Sequence, residues 1–493
     1  MKKLFASLFI LIMLAGAGYG GGAYWLGMQT EARFKNMIGA LPQSPYFSIT
    51  IPTYQRGIFK SHAVTAIKFN LPRQNNNNDA APIPAALRLN LSHNIWHGPL
   101  PYEQMPDGTF HLTPMLSFFE TTVTIPDNAL PNIPELLEIA KLLTFTDYTT
   151  INLDGSGTSA STMAAWQKQI GKDDHRVDID WQGLASHTSF TADLKGIHGA
   201  TSMPGLAITG GQGMLIFDKL AVTMDTDPGQ TGFSVGDAKI SLAKLAFADE
   251  SKGKDTQFEM SGLTATSNTR ENGAFLNHSQ TARINQVLFN HMKHGPFIYE
   301  FELRNLDAAT LRKLLEKTEM MQLQVMNNPG QGADPQLLGE IVQLIPGLIK
   351  QGLELELKKL SIDTRDGNFS ARLKLRITGD TAAAMANPIL LLSAVEIEAE
   401  ASASEYLLTK TIKGVTRSAI RKKNKATGKM INNLELDRQA SRECRAQLEA
   451  LQNRGIIARD QDRFKATATY HDGIIKINEV DFPLQNLLQL ATQ

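Results

Sequence analysis

The chain has 493 residues, with 49 basic and 49 acidic side chains and so no formal net charge. This balance argues against a protein built mainly to bind nucleic acid, which needs a basic surface. The single cysteine excludes an intramolecular disulfide and zinc sites made of several cysteines. The length exceeds that of one ordinary compact core, so we expect two lobes or an elongated sheet.

The N-terminal segment predicts a membrane anchor. Residues 4–26 contain no charged side chain and follow Lys2 and Lys3. As a helix they would reach roughly 35 Å, enough for a hydrocarbon core of about 30 Å, and Tyr24 and Trp25 suit the lipid–water interface. We expect a cytoplasmic tail at 1–3, a transmembrane helix at 4–26, and a periplasmic body at 28–493, in the inner membrane with a single pass. A signal peptide cleaved near Ala17 is the alternative.

Glycines within this segment suggest a second property. Gly16 and Gly20, like Gly18 and Gly22, have the spacing that lets two membrane helices approach closely. A homodimer through this face is therefore a hypothesis. The alternative is that these glycines reflect only the ordinary composition of membrane helices.

A short motif follows on an early predicted strand, Tyr54-Gln55-Arg56-Gly57-Ile58-Phe59-Lys60-Ser61. Tyr54 and Arg56 share one face of that strand, and Gly57 is expected to form a bulge that turns Phe59 toward a core. Arg56 either binds an anionic headgroup or stacks with Tyr54 over the edge of a sheet. The stacking interpretation is the simpler one.

A tripeptide occurs twice in similar settings. His97-Gly98-Pro99 follows an alternating strand, and His294-Gly295-Pro296 precedes another. Proline cannot donate to a ladder and glycine allows positive φ, so each tripeptide predicts a strand end or a bulge with its histidine at the rim. Internal duplication and chance recurrence are both open explanations.

Other histidines and carboxylates do not form a convincing site. His93 and His97 have a spacing typical of metal ligands on a helix, but on a strand four residues span roughly 13 Å, so no metal is predicted. Asp178 and Asp180, in the acidic stretch 173–180, alternate with apolar residues and should face solvent. The stretch 225–229 resembles part of a calcium loop without its later ligands and is read as a turn.

Two irregular stretches bear on domain organisation. Residues 73–84 are rich in asparagine, alanine and proline and predict a flexible surface loop. Residues 203–213 hold a cluster of glycines with Pro204 and are the weak candidate for a boundary between two lobes.

Strand patterns dominate the rest of the chain. Residues 353–377 read as a long hairpin turning at Asp366-Gly367, residues 395–401 as another strand, and residues 464–477 as a closing hairpin. Helices are predicted at 134–143, 307–326, from Pro335 with a kink at Pro346, 404–423 and 436–453. The fold class is α+β: an extended, curved, mostly antiparallel sheet with several packed helices, preceded by the transmembrane helix.

Two features of the C-terminal helices stand out. Lys410, Lys413, Arg417 and Arg421 belong to a basic run opposite a stripe of Leu408, Ile412, Val415 and Ala419. This pattern suits a helix lying on anionic lipid, although a helix docked on the sheet with a solvated basic face is favoured. Cys444, in step with Ala440, Leu448 and Leu451, predicts a buried small apolar residue.

The anchor, the motif at 54–61, the two His-Gly-Pro tripeptides and the closing hairpin together resemble the YdgA-like family of bacterial envelope proteins, the domain of unknown function 945. The resemblance covers essentially the whole chain. It implies a periplasmic body tethered to the inner membrane, and it implies no reaction, cofactor or catalytic residue.

Motifs of common enzymes are missing from the sequence. It contains no phosphate-cradling P-loop, no H-E-x-x-H and no G-x-S-x-G turn. We expect a non-enzymatic envelope protein, without cofactor or metal, whose sheet offers a surface or apolar groove to a lipid or protein partner. The alternative is an envelope hydrolase with an unrecognised site around His97 and His294, which requires the two tripeptides to converge.

Overall fold

In a computed structural model the chain forms two compact units, Met1–Ala238 with Glu319–Asp334, and Lys239–Thr318 with Pro335–Gln493. The structure describes residues 2–39, 47–70, 86–98, 108, 113–126, 139, 142, 144–171, 176–210, 213–249, 256–289, 291–327, 334–349, 352–378, 394–426 and 431–481. The predicted loop at 73–84 and most of the predicted helix at 134–143 lie outside them.

The first unit begins with a long helix, α1 (Lys2–Gly39), followed by strands. These are β1 (Phe47–Arg56), β2 (Lys60–Asn70), β3 (Ala86–His97), β4 (Ser117–Thr124), β5 (Phe145–Ile151), β6 (Gly157–Met163), β7 (Trp166–Ile170), β8 (Val177–Trp181), β9 (Leu184–Phe190), β10 (Ile197–Gly210) and β11 (Gly213–Pro228). Antiparallel pairing runs in the order β1 to β6, then β9, β10 and β11, and β8 pairs with both β10 and β7.

The second unit is built the same way, with helices added. Its elements are β12 (Ser234–Asp249), β13 (Thr256–Asn272), β14 (Phe275–Phe289), β15 (Met292–Asp307), α2 (Ala308–Asn327), α3 (Pro335–Ile349), β16 (Glu354–Thr364), β17 (Gly367–Ile377), β18 (Val395–Ser404), α4 (Glu405–Ala426), α5 (Asn433–Asn453), β19 (Ala458–Asp460), β20 (Arg463–His471), β21 (Ile474–Ile477) and β22 (Val480–Asp481). Antiparallel pairs join β13 through β18 in chain order, then β18 to β20, β20 to β21 and β21 to β22. Both β12 and α2 cross a boundary between the units.

The predicted fold is therefore confirmed in its main feature, an open, mostly antiparallel sheet with packed helices. The hairpin predicted around Asp366-Gly367 joins β16 to β17, with Thr364 opposite Gly367. Helix starts follow capping chemistry: the Asp307 carboxylate accepts from the Thr310 N–H at 2.7 Å, and the Asn432 side chain accepts from the Glu435 N–H at 2.8 Å.

The predicted lobe boundary at 203–213 falls inside the first unit, in the hairpin of β10 and β11. β10 pairs with β9 as far as Ser202 and with β8 from Leu206 onward. Pro204 and Gly205 lie where the strand changes partner, so they mark that exchange and not a domain boundary.

A single helix, α1, covers the segment at 4–26 that was predicted to span the membrane, and it continues to Gly39. Among the described residues, no helix combines the length and the apolar character needed to cross a membrane. The side chains of residues 4–15, which make up the first half of the predicted span, lie outside the described part of the chain.

The second half of α1 packs on the sheet of its unit. Ala23, Leu26, Thr30 and Phe34 follow one another at helical spacing and are nearly or fully buried. Leu26 and Phe34 share a core with Ala63, Ile95 and Phe119. Leu26, the predicted last residue of the membrane span, therefore belongs to the folded body.

Candidate functional site

The motif at 54–61 forms the β1–β2 hairpin that holds α1. The Arg56 guanidinium donates to the Glu31 carboxylate at 2.9 Å and to the Tyr24 hydroxyl at 3.1 Å. Its central carbon also lies 5.0 Å from the centroid of the Tyr24 ring. Arg56 thus ties two positions of α1 that are about two turns apart to the end of β1, through an ion pair and a cation–π contact.

Tyr54 lies beside Arg56 on the same face, as predicted, and contacts the next turns of the helix. Its ring is 5.9 Å from that of Phe34, and the Lys35 ammonium is 5.6 Å from its centroid. The Tyr54 hydroxyl is buried without a hydrogen-bond partner among the described residues. Burial raises the pKa of Tyr54 to about 12, so this hydroxyl stays protonated.

The prediction that Gly57 forms a bulge is wrong. The irregularity of β1 lies between Thr50 and Thr53, and Gly57 is in the hairpin turn, where its N–H donates to the Lys60 carbonyl at 2.9 Å. A Cβ at Gly57 would lie 2.3 Å from that carbonyl oxygen, so the tight turn requires glycine. Phe59, next in the turn, stacks on Tyr19 of α1 with 5.8 Å between ring centroids.

His97 provides a buried hydrogen bond between the sheet and α1. Its Nδ1 donates to the carbonyl oxygen of Ala23 at 3.1 Å, which leaves Nε2 as the acceptor from the Ser61 hydroxyl at 2.9 Å. Burial lowers the pKa of His97, so the ring is neutral. A Cβ at Gly27 would lie 2.6 Å from His97 Cε1, so the glycine is what admits the ring.

The first His-Gly-Pro tripeptide is at a strand end, as predicted. β3 ends at His97, and Gly98 adopts a φ of +140° at a place where a Cβ would lie 3.5 Å from the Ala23 Cβ. Pro99 lies outside the described residues.

A second buried histidine lies beneath the same helix. His93 hydrogen-bonds through its two ring nitrogens to the hydroxyls of Thr121 at 2.9 Å and Thr65 at 3.0 Å. The edge of its ring contacts Phe34, with 5.1 Å between centroids. Burial lowers the pKa of His93 to about 4. The two histidines with their hydroxyl partners form a polar layer between α1 and the sheet.

The second tripeptide lies in the other unit, in the middle strand of three. His294 pairs with Val287 and with Thr364, and regular pairing resumes only at Phe297. Gly295 has a φ of +123°, and the Gly295–Pro296 peptide bond is cis. The predicted bulge is present here. His97 and His294 belong to different units.

The remaining candidate acids and histidines are engaged locally. Asp178 forms an ion pair with Arg176 at 2.9 Å, and Asp180 accepts from Gln167 at 3.2 Å. His198 bridges Asp225 and Asp227. Within the described ranges, no three His, Cys, Asp or Glu side chains are placed to hold a metal ion. Asp173, Asp174 and His175 lie outside them.

The basic helix α4 is docked on α5 and the sheet. The residues of α4 that face the body are Leu408, Ile412, Thr416 and Ile420. Val415 is 67% exposed. The second half of the predicted apolar stripe, Val415 and Ala419, is therefore wrong by one position. Lys410 forms an ion pair with Asp366, and Lys413 pairs with Asp437 at 2.8 Å. Arg417 has a buried Nε, and Arg421 is exposed.

Sequence patterns did not reveal a cavity between α1 and the sheet. Its volume is about 290 Å³. The apolar wall includes Phe34, Phe119, Ile151 and Phe190, and the polar lining includes Arg33 and Ser117. The cavity lies between one helix and three strand ends that are distant from one another in the sequence. Local sequence patterns therefore could not predict it.

The second unit has a partly open apolar sheet face. In register across β15, β16, β17 and β18 lie two rows of half-buried side chains: Leu303, Leu355, Leu375 and Ile397, then Phe301, Leu357, Leu373 and Ala399. The opposite face carries alternating charges, where Arg304 binds Glu354 at 2.6 Å and Arg376 binds the same carboxylate at 2.5 Å. α4 and α5 pack near Phe464, toward one end of the apolar face.

Comparison with curated proteins finds no match. A family model does match, over residues 1–485, and its description does not include the YdgA-like name. Because the match covers nearly the whole chain, including both units and the helix that the 54–61 motif holds, the chain belongs to DUF945, a family of bacterial proteins of unknown function.

Proposed function

We propose that the chain is a non-enzymatic envelope protein, held in the inner membrane by the first part of α1, whose extended, curved sheet in the periplasm presents its apolar face to lipid. The observation that carries the proposal is the open face of the second unit. Leu355, Leu357, Leu373 and Leu375 are all partly exposed on it. Leaving contiguous apolar side chains in water is unfavourable by about 25 cal/mol per Å², and such a surface marks a site for an apolar partner.

The two faces of this sheet differ in a way that suits lipid. The charged face is satisfied internally, since Glu302 pairs with Lys358 at 2.9 Å and Glu354 pairs with two arginines. The apolar face offers aliphatic and aromatic side chains, including Tyr299 and Phe301 with 6.2 Å between ring centroids. Acyl chains need no hydrogen-bond partners, and apart from the Tyr299 hydroxyl these side chains offer none.

The docked helix supports the membrane-anchored part of the proposal. α1 is continuous from Lys2 to Gly39, and residues 19–34 are fixed on the body by Phe59, Arg56, His97 and Tyr54. A body fixed in this way would be held at a defined distance and orientation from the end of an anchor. The residues that resemble the family motif thus serve the attachment of the helix.

The hydrolase alternative receives less support. Ser61 and His97 do form a hydrogen bond, but each is 5% exposed beneath α1. His97 Nδ1 donates to a main-chain carbonyl, where a catalytic histidine of a Ser-His-Asp arrangement donates to a carboxylate. The pair is explained by the docking of the helix.

The test uses neighbouring positions on opposite faces of one strand. The full chain is expressed with the photocrosslinker benzoylphenylalanine at Leu373, and separately at Lys374 as the control. After irradiation of cells, lipid adducts are sought by mass spectrometry of the purified protein. We expect phospholipid adducts at position 373 and a background level at 374. Equal yields at both positions, or none at 373, would refute the lipid-binding face.

A further inference from the structure

The cavity beneath α1 has the properties of a ligand site and lies in the first unit, so the inference drawn from it does not rest on the apolar face of the second. Its volume of about 290 Å³ is at the lower end of the roughly 300–1,000 Å³ typical of small-molecule sites. The cavity therefore suits a ligand with one acyl chain better than a phospholipid with two acyl chains. Phe34, Phe119, Ile151 and Phe190 supply an apolar wall for such a chain.

A buried hydroxyl in the cavity is left without a partner. Ser117 is 0% exposed, its side chain lines the cavity, and its Oγ makes no hydrogen bond to any described residue. Burying a hydroxyl without a hydrogen bond is unfavourable, and buried polar groups in native proteins nearly always have a partner. The unsatisfied Ser117 hydroxyl therefore points to a polar group that enters the cavity.

Arg33 supplies a cation at the rim. Its guanidinium lies against Gly155, where a Cβ would come within 1.9 Å, and it makes one long hydrogen bond of 3.4 Å to the carbonyl oxygen of Ala192. Asp193, which also lines the cavity, already accepts from Thr191 Oγ1 at 2.7 Å and from the Lys195 N–H at 3.1 Å. Arg33 also attracts the Asp154 carboxylate electrostatically, but its one long hydrogen bond leaves N–H donors for an anion in the cavity.

We propose that this cavity binds a medium-chain fatty acid or an amphiphile of the same chemistry, with one acyl chain and a carboxylate. The acyl chain of the ligand packs on the apolar wall. The carboxylate accepts the Ser117 hydroxyl proton in a hydrogen bond and is attracted by Arg33. The pairing of one apolar wall with one donor and one cation matches this class of molecule and does not match an uncharged alcohol or an amine.

The test measures binding of radiolabelled decanoic acid to the full chain in nanodiscs, with empty nanodiscs as the blank. Leu194 lines the cavity and is 44% exposed, whereas Leu153 is 55% exposed on a neighbouring turn and does not line it. We expect saturable one-site binding that Leu194→Trp weakens at least tenfold and Leu153→Trp changes less than twofold. The two variants place the same bulky side chain inside and outside the rim.

Two further variants test the polar contacts. Ser117→Ala removes the hydroxyl and changes the volume of the cavity very little. We expect about fivefold weaker binding of decanoate, which is the effect of one lost hydrogen bond. Arg33→Gln should remove most of the preference for decanoate over decanol. Thermal unfolding of each variant shows whether the fold is intact. No saturable binding to the natural chain, unchanged affinity in Leu194→Trp, or equal affinity for decanoate, decanol and decylamine would overturn the proposal.

Discussion

The imidazole of His97 occupies the space in which a side chain at Gly27 would begin, with 2.6 Å between the His97 Cε1 and the position of a Cβ on Gly27. The ring reaches the Ala23 carbonyl only because α1 has no side chain at this point. Seventy positions of sequence separate the two residues. A substitution that disturbs this contact should therefore show how much it contributes to the docking of the helix on the sheet.

Gly27→Ala is expected to destabilise the first unit by about 2 kcal/mol, because the added methyl group displaces the His97 ring and breaks its bonds to Ala23 and Ser61. Gly22→Ala is the matched control. A Cβ there meets nothing within 4 Å, so the higher helix propensity of alanine should stabilise α1 by up to about 1 kcal/mol. Urea unfolding of the full chain, followed by tryptophan fluorescence, measures both, since all four tryptophans lie in the first unit. Destabilisation of the same size at both positions would show that the ring contact is unimportant.

Arg56→Gln should weaken the attachment of α1 by about 1 kcal/mol, through loss of a partly exposed ion pair and a cation–π contact. Arg56→Lys should recover only part of this, because an ammonium lacks the planar fork that reaches Glu31 and Tyr24 together. The measurement is hydrogen exchange of the peptide covering residues 16–39. Arg176→Gln, which removes an exposed pair with Asp178 elsewhere in the unit, is the control and should leave exchange in α1 unchanged.

The stability of the first unit should fall in mild acid. The pKa of His93 is lowered to about 4 in the folded protein, below its ordinary value of about 6.5 in the unfolded chain. The unfolded state therefore binds more protons between these values, so the contribution of His93 is complete above pH 6.5 and is lost as the pH falls toward 4. His97 acts in the same direction.

We expect the free energy of unfolding to drop by about 2 kcal/mol between pH 7 and pH 5 because of His93. His93→Gln should flatten this dependence, and His471→Gln, at an exposed position in the second unit, should not. The measurement is urea unfolding at a series of pH values. A slope that His93→Gln leaves intact would assign the titration to other groups.

The reactivity of the Cys444 thiol should show whether the second unit is folded. It is 1% exposed between α4 and α5, its thiol donates to the Thr409 carbonyl at 3.4 Å, and burial raises its pKa. A maleimide should react with it at least about a hundredfold more slowly than with Ser441→Cys on the exposed side of α5. In urea the two rates should converge. Rapid labelling of Cys444 in the native protein would contradict its burial.

The period-two patterns predicted the strands of the second unit well, because each strand has one apolar and one charged face. Cys444 was likewise predicted correctly from its step with Ala440 and Leu448. The helix stripe of α4 was misplaced since Thr416, a polar residue, continues the buried row where Val415 was expected. A pattern of apolar residues does not mark a buried threonine as part of the core.

The seating of α1 was not foreseeable from local patterns. It depends on Gly27 meeting His97, and on Arg56 reaching Glu31 and Tyr24, which are contacts between segments far apart in the chain. An apolar run is equally consistent with a membrane span and with a core, so composition did not reveal that Leu26 is buried in the body. The sequence showed the motif at 54–61 but not its role in holding α1, because the residues that it contacts lie on that helix.

The order of strand pairing has a consequence for how the chain acquires its structure. From β13 to β18 each strand pairs with the next one in sequence. Where the paired strands follow each other directly, as in β13–β14, β14–β15 and β16–β17, the pairing closes a short loop, which has a small entropic cost and favours rapid folding. Each new strand can thus use the edge left by the one before it, by a hairpin at these places and, for β16, only after α2 and α3 have followed β15.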